Sequence, residues 1–67
     1  MNIVKLQSNV DVLVNLDNID AISVKGKELS IWFNGDSREA SIYECCVSLD
    51  SLLEQIHSGD RTVRVLV

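Results

Sequence analysis

Two adjacent cysteines, Cys45 and Cys46, and the single histidine, His57, are the residues best suited to covalent chemistry in this chain. A thiol beside an imidazole can serve as a nucleophile with its general base. Neighbours on an extended strand point to opposite faces, so one of the two cysteines is expected to be a small core residue, as buried free thiols usually are. His57 falls in the last turn of an expected helix, where a cation suits the helix dipole. The Cys-Cys pair lacks the two-residue spacer of common zinc sites. Asp17 and Asp20 beside Asn15 and Asn18 lack the twelve-residue loop and closing glutamate of a calcium site. Asx turns account for them. Three isolated glycines make neither a phosphate loop nor a dinucleotide fingerprint. The expectation is no enzyme, no catalytic residue, no metal and no cofactor.

The aromatic residues point elsewhere. Strand alternation puts Trp32 and Tyr43 on one sheet face, opposite Ile31 and Phe33. A tryptophan and tyrosine on an outer face resemble an interface anchor. Glu39 shares that face of its strand, and Arg64 and Leu66 share one side of the last strand. Trp32, Tyr43, Glu39, Arg64 and Leu66 therefore form the candidate partner-binding set. Trp32 becomes a core residue instead if the helix or the last strand folds over it.

The elements that position these residues are short. Ile3 to Leu6 reads as a strand, Gln7-Ser8-Asn9 as a turn and Val10 to Leu16 as a second strand. A three-residue loop would pair Leu6 with Val10, and Asn9 would take the left-handed conformation. The polar turn Asn15 to Asp20 leads into a third strand ending at Val24. A loop at Lys25-Gly26-Lys27-Glu28 pairs Val24 with Leu29 and Ile22 with Ile31. Leu29 to Phe33 is the fourth strand. Asn34-Gly35 is the strongest hairpin signal, and a four-residue loop from Asn34 to Ser37 would pair Ile31 with Ala40 and Leu29 with Ile42. The fifth strand runs from Arg38 to about Cys46. Ser48 is a helix N-cap and Gly59 a C-terminal stop, giving a helix from Leu49 to Ser58 with Leu49, Leu52, Leu53 and Ile56 at helical spacing. Thr62 to Val67 is a last strand, either paired with an internal strand or left open at a sheet edge. The fold class is α+β: a small antiparallel β-sheet or partly open barrel of five to six strands, with one short amphipathic helix near the C-terminus.

Sixty-seven residues with 46% hydrophobic content make one compact β-rich domain over residues 1–67. Such a domain buries only about 60% of the surface its unfolded chain exposes, so extra burial by self-association is expected. A helix of about ten residues is ~15 Å long and cannot cover five strands. The net charge is −4 with the acids scattered and no basic cluster, which disfavours nucleic acid. The apolar runs are too short to span a bilayer, and Met1-Asn2-Ile3 does not open a signal peptide. With two cysteines and no disulfide framework, the expected location is cytoplasmic, in a bacterium or a phage.

These readings converge on a non-catalytic protein–protein interaction module, a homo-oligomer that binds another protein through an outer aromatic sheet face or a strand edge. One specific form is a virus-encoded inhibitor of a bacterial defence or regulatory protein, its acidic groups occupying a basic surface. The alternative is a small-ligand-binding or sequestering oligomer with its pocket between subunits. The order of elements from Val10 to Ile56 also resembles the small flagellar motility proteins of the FlbD type and the LytTR-type DNA-binding domains. The matching residues are Asn15-Leu16-Asp17-Asn18-Ile19, Asn34-Gly35 and Ser48-Leu49-Asp50-Ser51-Leu52. LytTR-type binding needs basic contacts this chain lacks. The likeness implies, as a further alternative, a small bacterial regulatory or motility accessory protein.

Overall fold

Alternating apolar residues form the expected strands, and their pairing sorts them into two sheets. A computed structural model describes residues 2–34 and 36–66, with residues 36–38 described by their backbone alone. Gly35 and Val67, assigned from sequence to a turn and to the last strand, lie outside the described residues. The order is β1 (Ile3–Gln7), β2 (Asp11–Asn15), a 3-10 turn (Leu16–Asn18), β3 (Ile19–Lys25), β4 (Glu28–Phe33), β5 (Asp36–Glu44), α1 (Leu49–His57) and β6 (Thr62–Arg64). One sheet has the order β2-β1-β6 and the other β3-β4-β5. The fold is α+β, six strands and one helix among the described residues.

The expected single sheet or partly open barrel is corrected here: the two sheets do not close. The corner between them is the 3-10 turn. The Asn15 side chain accepts from the Asp17 N–H at 3.1 Å and so caps the turn. At the opposite side, the segments that follow β5 and β6 meet where the Cys46 N–H donates to the Val65 carbonyl at 2.6 Å. No hydrogen bond between described residues joins β2 to β3.

β6 runs parallel to β1, with Leu6 opposite Val63. The last strand thus pairs internally, one of the two expected outcomes. The β3–β4 register is as predicted, with Val24 opposite Leu29 and Ile22 opposite Ile31. Pairing continues to Lys25 and Glu28, leaving a two-residue turn whose Gly26 has φ +60°. A positive φ at the first central residue is what a type II′ hairpin needs.

Two registers differ from expectation. Leu6 faces Val12 and Val4 faces Val14, two residues further along β2 than predicted. The even shift keeps the same side chains inward. The loop becomes Ser8-Asn9-Val10, and no described non-glycine residue has positive φ, so Asn9 is not left-handed. In the β4–β5 hairpin the shift is odd. Leu29 faces Tyr43, Ser30 faces Ile42 and Ile31 faces Ser41, after an irregularity next to the turn where Phe33 meets Asp36. A one-residue slip exchanges the faces of a strand. Tyr43 and Cys45 therefore turn toward the core, and Ile42 turns out at 56% exposure.

The core lies between the sheets. Val4, Leu6, Val14, Leu29, Ile31, Cys45, Leu52, Val63 and Val65 are buried. The helix packs its Leu52 and Ile56 into this cluster, while Leu49 and Leu53 stay exposed. Ser48 Oγ accepts from the Ser51 N–H at 3.1 Å, the predicted N-cap. At the other end Gly59, φ +79°, donates to the Ile56 carbonyl and Asp60 to the Gln55 carbonyl. These are the two bonds of a Schellman motif.

Candidate functional site: the outer sheet surfaces and edges

The residues capable of covalent chemistry are dispersed. Cys45 is buried and its thiol donates to the Val47 carbonyl at 3.2 Å; Cys46 is exposed. His57 is exposed at the far end of α1. The nine-residue helix puts about 12 Å between its first turn, next to the cysteines, and its last. Among the described residues no group of three His, Cys, Asp or Glu gathers to hold a metal. No described helix is long and apolar enough to cross a membrane. A partly open space of about 20 Å³ lies between the sheets, lined by apolar side chains alone. A larger, open groove of about 620 Å³ runs beside the helix, lined by Val47, Ser51, Glu54, Gln55, Ser58, Asp60 and Arg64.

The predicted partner-binding residues do not form one surface. Trp32 lies on the outer face of the β3-β4-β5 sheet, half-buried and outside the core cluster, with Ala21 opposite it. Ile42 is on the same face. Tyr43, expected beside Trp32, packs against the core because of the odd register shift. Glu39 is exposed on β5. Arg64 and Leu66 belong to the other sheet and its continuation; Arg64 is exposed and Leu66 half-buried. On that sheet the outer face carries Leu13, 76% exposed and paired with Lys5, and Ile3.

Sequence reasoning missed how the edges are closed. The Gln55 side chain donates Nε2–H to the Arg64 carbonyl and accepts from the Arg64 N–H at its Oε1, both at 2.8 Å. It occupies the position a further strand would take beside β6. At the end of β5, Asn9 Oδ1 accepts from the Glu44 N–H at 3.3 Å, and Ser8 Oγ donates to the Glu44 carbonyl. A polar residue at a helix position facing a strand was the only available signal for Gln55. Nothing in the sequence marks Ser8 and Asn9 beyond turn propensity.

No known family model, curated protein or solved structure matches this chain. The likeness to the flagellar and DNA-binding groups therefore rests on its hairpin and capping residues alone.

Proposed function

We propose that this protein is a non-catalytic protein–protein interaction module that self-associates. The observation that carries the reading is the apolar surface left outside a very small core. Leu13 at 76% and Ile42 at 56% exposure lie on the two outer sheet faces, and Trp32 is half-buried on the second. Single exposed apolar residues are ordinary, but an aromatic residue sharing a sheet face with an exposed isoleucine and with Ala21 is the pattern of a contact surface. The dispersal of Cys45, Cys46 and His57 supports a role without catalysis.

Trp32→Ala tests it. Trp32 is not part of the core cluster, so the midpoint of denaturation should move little. Sedimentation equilibrium should show assembly weakened by tenfold or more, as for an interface aromatic. An unchanged association constant together with unchanged affinity for any captured protein partner would count against the reading.

A further inference from the structure

The two sheets give four edge strands, and they are not equivalent. β6 is capped at Arg64 by Gln55, and β5 is capped at Glu44 by Ser8 and Asn9. That leaves β2 and β3, which flank the open side of the sandwich. Pairs in an antiparallel ladder alternate between hydrogen-bonded and not. Lys25 and Glu28 close the two-residue turn, so Ser23 bonds to β4 while Ile22 and Val24 direct their N–H and carbonyl groups away from it. No hydrogen bond from a described residue reaches those outward groups. The side chains tell the same story. Leu29 and Ile31, directly across on β4, are 0% and 3% exposed, yet Ile22 and Val24 are only half-buried. The core is unfinished along β3.

Charge selects what completes it. β3 carries Asp20 near its start and Lys25 at its end, both exposed, with Lys27 just beyond. Two copies running antiparallel would set each acidic end beside the other's basic end. β2 has Asp11 and no cation, and is two residues shorter. An isologous interface requires one patch complementary to itself, which β3 is and β2 is not. We propose that β3 pairs with β3 of a second copy about a two-fold axis, joining two three-stranded sheets into one of six strands. This rests on the self-association proposed above and names its edge. The added strand would satisfy the outward groups of Ile22 and Val24 and cover their half-buried side chains.

The test uses Asp20→Lys, Lys25→Glu and the double variant on the full chain. Both positions are exposed, so circular dichroism should show an unchanged fold. Sedimentation from micromolar to millimolar concentration at low salt should show each single variant weakening dimerisation about tenfold through like-charge contacts repeated by symmetry, and the double variant restoring it. Hydrogen exchange should show the Ile22 and Val24 amides gaining protection as concentration rises. If dimers form but the charge swaps leave their dissociation constant unchanged, and those two amides stay unprotected, the edge assignment is overturned while self-association stands. A monomer throughout the concentration range overturns both.

Discussion

Gln55 performs with one amide group what a neighbouring strand would do for β6. Its carbonyl and NH2 match the spacing of the Arg64 N–H and carbonyl. Gln55→Ala should remove slow exchange from the Arg64 amide while leaving the core amides protected, as amide exchange by NMR would reveal. The global cost should be about 1 kcal/mol, the net worth of ordinary hydrogen bonds at a wet site. Leu29 is the opposite case. It is fully buried between sheets and helix, and Leu29→Ala should cost about 2–5 kcal/mol. A chain of this length has about 3–10 kcal/mol in total, so urea titration should find the variant largely unfolded or close to it. The two thiols give a third residue-scale expectation. A thiol reagent should label Cys46 quickly in the native protein and Cys45 only on unfolding, because Cys45 is enclosed and Cys46 is not.

The helix is defined at both ends by single residues. Ser48 satisfies an early N–H, and Gly59 takes the left-handed conformation that lets Asp60 and Gly59 close the last carbonyls. A Cβ at Gly59 would meet nothing within 4 Å, so the cost of Gly59→Ala comes from backbone conformation alone, about 1–2 kcal/mol. Thermal or urea unfolding should show that loss for Gly59→Ala and about 1 kcal/mol for Ser48→Ala. These caps were readable in advance because they depend on residues within one turn of each other. The hairpins divide on the same principle. The β3–β4 register follows from Gly26 and the pairing of four apolar residues over a short loop. The β4–β5 register includes an irregularity between Ile31 and Phe33 that no local pattern announces, and that irregularity decides which of Ile42 and Tyr43 is inside.

For the molecule as a whole, the decisive feature is asymmetry between the two sides of the sandwich. On one side the end of β5 is tied to the segment after β6 by the Cys46–Val65 bond and to the β1–β2 loop by the contacts of Ser8 and Asn9 with Glu44. On the other, β2 and β3 share only the 3-10 turn, and Val12, Ile22 and Val24 remain half-buried. A short helix can fill the interior, as Leu52 and Ile56 do, without covering that opening or the outer faces. This is the structural basis for expecting assembly, and for expecting Trp32 and the β3 edge to matter to assembly more than to folding.

The elements follow from neighbouring residues: the strands from their two-residue period, the helix from its spacing and caps, and the burial of one cysteine from alternation along a strand. Alternation also set Trp32 on the sheet face opposite Ile31 and Phe33, but left open whether the helix or the last strand would cover that face. Packing of the whole chain splits the sheet in two, turns Tyr43 inward and Ile42 outward, and lets Gln55, Ser8 and Asn9 close two edges while β2 and β3 stay open. The reason is one of range. Periodicity and capping are properties of adjacent residues, whereas register across an irregular hairpin and the reach of a side chain to a distant strand depend on how the whole chain packs.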